Sequence, residues 1–157
     1  MNGCVNKVSL FDKDLMFVVI FGLRGLKNEL ECQVALRCAR ECHQAISEFE
    51  NVASTSVGVT TGDLNLSRRH KFQTHLFLGK TNSGVFGHTL RREYTVISLI
   101  VNKAARLMVA YSGKVTCDRE TFLHSKLEAK HFVLQEPKPL KGISHPGPVY
   151  EFRELEE

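Results

Sequence analysis

Residues 15–21 read LMFVVIF, seven apolar residues in succession, with Gly22 directly after them. Such a run, rich in β-branched and aromatic residues, predicts a strand buried on both faces. It is far short of the roughly 20 residues a membrane-crossing helix needs, so no transmembrane segment is expected. The polar FDKD at 11–14 and the run VNKVSLF at 5–11 make it the second arm of a hairpin. A strand apolar on both faces needs neighbours at both edges and layers above and below, which the rest of the chain must supply.

The remaining pattern supplies helices and strands in turn. Asn28, with Glu31 three positions on, has the form of a capping box, and predicts a helix to about Glu50. Its apolar stripe, Leu30, Val34, Cys38, Cys42, Ala45, Ile46 and Phe49, is expected to face a sheet. STSVGVTTG at 54–62 reads as a strand closed by glycine, and VFGHTLRREYTVI at 85–97 as another. SLIVNKAARLMVA at 98–110 reads as a helix with Ser98 as cap. KVTC at 114–117 is a short strand, and Asp118 caps a helix to about Lys126. HFVLQ at 131–135 is extended, and LKGISHPGPVYEF at 140–152 is a turn into a last strand. Residues 63–83 lose the periodicity and read as a long surface loop with at most a short strand at 74–78.

Composition narrows the function classes. With 157 residues, 43% hydrophobic and 24% charged, the chain fits one globular domain. The first residues lack the basic region and the small-residue cleavage site of a secretory signal, so a cytoplasmic location is expected. Cys4, Cys32, Cys38, Cys42 and Cys117 lack the spacing of a disulfide scaffold and are expected as thiols. The formal charge is +4, and Arg68, Arg69, Lys71 and Lys80 against Asp63 put +3 of it in one segment. An extended nucleic-acid surface is therefore not expected.

SVGVTTG at 56–62, GHTLRREYTVISLIVNKAARLM at 87–108 and LKGISHPGPVYEF at 140–152 together resemble the class III nucleotide cyclase homology domain. NKVSLFDKDLMFVVIFG and YSGKVTCDRETF are similar to it as well, so the likeness runs through nearly all the chain outside 63–83. It is closest to the second catalytic half of the soluble adenylyl cyclases. The resemblance implies an α+β, ferredoxin-like sheet with helices on its faces, lacking the family's N-terminal strand and helices. It implies a single partial cyclase homology domain over 1–157, with an atypical insertion at about 63–83. In the family two such domains pair, and ATP lies between them. One half carries metal-binding aspartates; the other recognises adenine and stabilises the transition state.

Asn102 and Arg106 stand four apart on a predicted helix, so their side chains leave one face a turn apart and can meet one anion. On their own they read as the wet side of an amphipathic helix; the REYTVI and VNKAAR context turns the reading toward a site. The resemblance gives Arg106 the transferring phosphate and Asn102 the ribose, and a permanently charged, fork-shaped guanidinium suits the first task. It gives Thr95 and Lys7 to adenine, with Lys13 a rival for Lys7 if the hairpin register slips, and Lys141 to the triphosphate. Mg²⁺ or Mn²⁺ is expected from a metal-carrying partner half and from the ATP, with no metal held by this chain alone. Asp12 and Asp14 read as solvated turn carboxylates.

The chain departs from the family's VIGQKVNLAAR, with Ser98, Leu99, Ile100 and Lys103 at the changed places. Gly79, Lys80 and Thr81 mimic the end of a phosphate loop, but Thr74 stands where that motif needs glycine. Cys38, Cys42 and His43 suggest core packing before zinc. The leading expectation is an adenylyl-cyclase-like half forming cyclic AMP and pyrophosphate from ATP with a metal-carrying partner half, inactive alone. The alternative is a non-catalytic cyclase-fold module that binds nucleotide or a cyclase partner and modulates it.

Overall fold

A computed structural model describes residues 3–11, 14–22, 30–65, 71–82 and 99–154. The expected hairpin is present. β1 (Cys4–Phe11) pairs antiparallel with β2 (Asp14–Phe21), with a bulge between Val5 and Lys7. α1 (Glu31–Ser47) leads to β3 (Thr55–Asn65) and β4 (Lys71–Asn82), and then comes α2 (Leu99–Ala110). β5 (Val115–Asp118), α3 (Arg119–His124), β6 (Phe132–Leu134) and β7 (Val149–Phe152) complete the described elements. The strands form one sheet in the order β1-β2-β4-β3-β5-β7-β6, antiparallel throughout except for β3 beside β5. This is the expected α+β architecture.

Alternation along the strands divides the core between the two faces. Phe21, Val57, Val59, Val115, Cys117 and Phe152 meet Ala35, Leu36 and Ala39 of α1 on one side. Val18 and Ile20 meet Ala104 and Met108 of α2 on the other. β2 is therefore apolar on both faces for the reason its sequence gives: a helix lies over each.

The segment 63–83 corrects the loop expectation and contains, in a longer strand, the short one expected at 74–78. β3 continues to Asn65, and Lys71–Asn82 returns as a twelve-residue strand lying between β2 and β3, with Leu78 opposite both Val18 and Gly58. The hairpin leaves one edge of β2 without a partner and β3 has a free edge of its own. A segment that fills both gaps satisfies backbone donors and acceptors on each side, so its stability comes from pairing more than from its own periodicity. Gly79, Lys80 and Thr81 sit inside this strand, which is no geometry for a phosphate loop.

Two expectations about α1 are also corrected. The helix opens at Glu31 with Leu30 in the cap position and no side-chain cap; Asn28 lies outside the described residues. Its innermost residues are Cys32, Ala35, Leu36 and Ala39, while Leu30, Ala45 and Phe49 are exposed. Alanines let the helix backbone approach the sheet closely, which rolls the larger Val34, Cys38 and Cys42 to the flank of the core. α3 starts as its sequence predicts: Asp118 accepts from the Thr121 backbone N–H at 3.0 Å. The strand expected at 85–97 and the Ser98 cap lie outside the described residues.

Candidate functional site

α2 carries the candidate pair, and the strands beneath it set its position closely. Gly58 of β3 faces the backbone of Ala104: a Cβ at Gly58 would lie 2.2 Å from the Ala104 carbonyl oxygen. Only glycine permits this approach. Two residues along, Thr60 Oγ1 donates to the Ile100 carbonyl at 3.0 Å. A Cβ at Gly62 would lie 2.6 Å from Ile100 Cδ1. The glycines and threonine of SVGVTTG thus form the bed on which α2 lies.

The inner line of α2 is Ala104, Leu107 and Met108, all buried. At 100° per residue, Asn102 and Arg106 fall on the side turned away from that line. Both are half-buried. The Arg106 Nε is buried and has no hydrogen-bond partner among the described residues. A guanidinium has five N–H donors and no acceptor, so a buried N–H without a partner leaves capacity for an anionic ligand.

The C-terminal end of α2 is strapped by residues 136–143. Lys138 Nζ donates to the Ala110 carbonyl at 2.9 Å and lies 5.0 Å from the Tyr111 ring centre. Tyr111 donates its hydroxyl to the Glu136 carbonyl at 2.9 Å. Leu140 packs with Leu107, Tyr111 and Val149, and opens a turn to Ile143 in which Gly142 has φ +80°. Lys141 is exposed in that turn, tied to the C-terminal end of α2 through Leu140. Lys7 pairs through its backbone with Val18, the residue beneath α2; its side chain is outside what the structure describes. Thr95, Lys13 and Asp12 are outside the described residues, and Asp14 is described in its backbone alone. The structure therefore joins Asn102 and Arg106 on one side of one helix, with Lys141 at its end.

Lys103 and Asp118 are the pair that the sequence reading missed. Lys103 Nζ donates to Asp118 Oδ2 at 2.8 Å, with the carboxylate side chain only 3% exposed and the lysine 24%. Asp118 Oδ1 accepts from both the backbone N–H and the hydroxyl of Thr121, at 3.0 and 2.7 Å. Thr121 Oγ1 lies 2.9 Å from Thr61 Oγ1, which is 3.5 Å from Cys32 Sγ. Burial pushes the Cys32 thiol up to about 11, against the lowering effect of its Thr61 contact. The available signal was Lys103 itself, a charge where the resembled pattern has Leu, with a capping carboxylate fifteen residues on.

On the opposite face, a cavity of about 600 Å³ opens between Leu15 and Phe17 of β2, Ile46 in the last turn of α1 and the segment Glu48 to Val52 that follows it. It shares no residue with α2. Among the described residues no three His, Cys, Asp or Glu side chains gather to hold a metal. Cys38 and Cys42, with Sγ atoms 4.0 Å apart, pack against the core, and burial followed by the neighbouring thiol pushes Cys38 up to about 12. No described helix is long and apolar enough to cross a membrane.

A mixed sheet with a helix packed on each face is compatible with the α+β fold of a cyclase homology domain, and similarity to proteins that carry such a domain runs through nearly the whole chain. No family model matches it. It is 37% identical over 150 residues to adenylate cyclase type 10 of Homo sapiens, covering 96% of this chain and 8% of that protein. To the proteins of the same name from Rattus norvegicus and Mus musculus it is 37% identical over 155 residues, covering 99% of this chain and 9% of each. The chain spans less than a tenth of the length of these relatives.

Proposed function

We propose that this chain is the adenine-recognising half of an adenylyl cyclase, acting in the cytoplasm with a metal-carrying half to form cyclic AMP and pyrophosphate from ATP. The observation that carries this reading is the Arg106 Nε–H, without a hydrogen-bond partner among the described residues and one turn from Asn102, on a chain related throughout to adenylate cyclase type 10. In the reaction the ribose 3′-oxygen attacks the α-phosphorus and the bond to pyrophosphate breaks. Negative charge grows on the phosphate oxygens, where Arg106 supplies a fixed positive charge, while Asn102 orients the ribose. A preorganised donor of this kind lowers the barrier by about 2.7–4 kcal/mol.

Lys7 and Thr95 are proposed for adenine and Lys141 for the triphosphate. A divalent Mg²⁺ or Mn²⁺ supplies charge neutralisation when bound, and is proposed to come with the partner half and the nucleotide. The Asp118 carboxylate is already engaged by Lys103 and Thr121 and is not a free ligand for it. We further propose that 1–157 is one partial domain in which 63–83 is extra to the family pattern.

The test is cyclic AMP production from Mg·ATP by the chain alone and mixed with a separately purified metal-carrying half. Activity only in the mixture, reduced about 100-fold or more by Arg106→Ala, is expected. Formation of a complex without activity selects the non-catalytic nucleotide- or partner-binding module.

A further inference from the structure

We propose that the Lys103–Asp118 ion pair is a positioning device that sets the roll of α2 and so aims Asn102 and Arg106; the aim toward a nucleotide rests on the function proposed above. Helices in contact with a sheet usually resist roll because large side chains interlock. Toward β2 such packing is present, with Met108 in one cluster with Val18 and Ile20, but over β3 the helix rests on small residues. The closest contact is Ala104 over Gly58, the smallest residues available, meeting backbone to backbone. Thr60 holds the helix near its start, at the Ile100 carbonyl, and a hydrogen bond to the helix backbone fixes position along the axis better than rotation about it.

Rotation is held from the flanks. On one side Val101 and Ala105 pack against the cluster of Val18 and Ile20. By the 100° step, Lys103 lies on the opposite flank, next to Asn102 and about 60° from Arg106. It reaches Asp118 at 2.8 Å across to the end of β5. Asp118 cannot follow a rolling helix, because Thr121 holds its other oxygen twice and α3 begins on it. The chain Cys32–Thr61–Thr121–Asp118 continues that anchorage through β3 to α1. One rigid carboxylate thus fixes a lysine one residue from Asn102 and three from Arg106.

The experiment compares the full chain with Lys103→Met, which keeps the stem and removes the charge, and Lys103→Arg, which restores it. The first readout is solvent exchange of the Arg106 Nε–H by ¹⁵N nuclear magnetic resonance, assigned by its loss in Arg106→Ala, with the amides of Val57 and Val59 as the internal reference. Lys103→Met is expected to speed Nε–H exchange at least tenfold while the strand amides keep their protection, and Lys103→Arg to recover most of it. Equal Nε–H exchange in all three, or a rise shared by the strand amides, overturns the positioning role. The second readout is cyclic AMP formation with the metal-carrying half. A roughly tenfold fall in kcat at unchanged KM, recovered by Lys103→Arg, is the expected outcome. Wild-type protein inactive in that mixture sinks the cyclase reading, while the exchange result still decides the positioning role.

Discussion

On one face of the sheet, α1 sets Ala35, Leu36 and Ala39 against Val57, Val59 and Phe21, all buried and all apolar. On the other, α2 lies over Gly58 and is fastened at its edges by the Thr60 hydroxyl, the Lys103–Asp118 pair and the Lys138 strap. The first face is held by packing area, which is non-directional and tolerates small shifts. The second adds directional bonds and a tight backbone contact to the packing of Ala104 and Met108 with Val18 and Ile20. On the function proposed above, a face that presents Asn102 and Arg106 to a nucleotide gains from direction more than from area, since catalytic geometry is lost with small displacements.

The sharpest way to break that comparison is to damage each face and see which property fails. Leu36 is completely buried in the α1 face. Leu36→Ala should lower stability by about 2–5 kcal/mol, measured by urea unfolding, as large-to-small core changes do. Cyclic AMP formation with the metal-carrying half, per folded molecule, should change less than twofold. A large loss of activity in the fully folded variant would mean that the two faces are not mechanically separate.

Gly58→Ala attacks the other face. Its Cβ would meet the Ala104 carbonyl carbon at 3.0 Å as well as the oxygen, and a backbone atom cannot swing aside as a side-chain end can. The helix must lift, at a cost of about 1–3 kcal/mol. Stability therefore falls no further than in Leu36→Ala, but activity should fall at least tenfold because α2 carries Asn102 and Arg106. Measured side by side, the two variants should reverse their order between unfolding and turnover.

Much of this arrangement was legible in the sequence, and the failures have physical causes. The two-sided apolar run at 15–21 gave its strand and implied both layers, and Asp118 announced the start of α3 through its side-chain chemistry. Asn102 and Arg106 were readable because helical spacing turns sequence separation into a shared side. β4 was readable only as a short strand at 74–78, because much of the pairing that extends it comes from the edge of β2, to which it has no sequence proximity. The roll of α1 was misjudged because size was taken as the guide to burial, whereas Ala35 and Ala39 are innermost through closeness of backbone approach. The Lys103–Asp118 pair depends on two elements meeting in space, and the sequence marks only its members, a charge in place of the pattern's Leu and a capping carboxylate, not their contact.

The smallest effect expected is a pH dependence at the rim of the α1 face, where its apolar packing meets polar atoms. Both ring nitrogens of His43 are buried without a hydrogen-bond partner among the described residues, as is the Thr55 hydroxyl. Desolvation pushes the His43 pKa below the usual 6.5, and the adjacent backbone at Thr55 and Gly113 offsets only part of it. The folded protein thus keeps this imidazole neutral at pH values where the unfolded chain protonates it. Above 6.5 both states hold it neutral and it adds no pH dependence. As pH falls below 6.5 the unfolded state binds the proton first, so stability declines until the folded pKa is reached and then levels off. Urea unfolding at pH 7.5 and 5.5 should show this decline in the wild type and a smaller one in His43→Gln, whose side chain does not titrate. An equal decline in both would place the acid sensitivity elsewhere and leave the packing of the α1 face independent of the His43 charge.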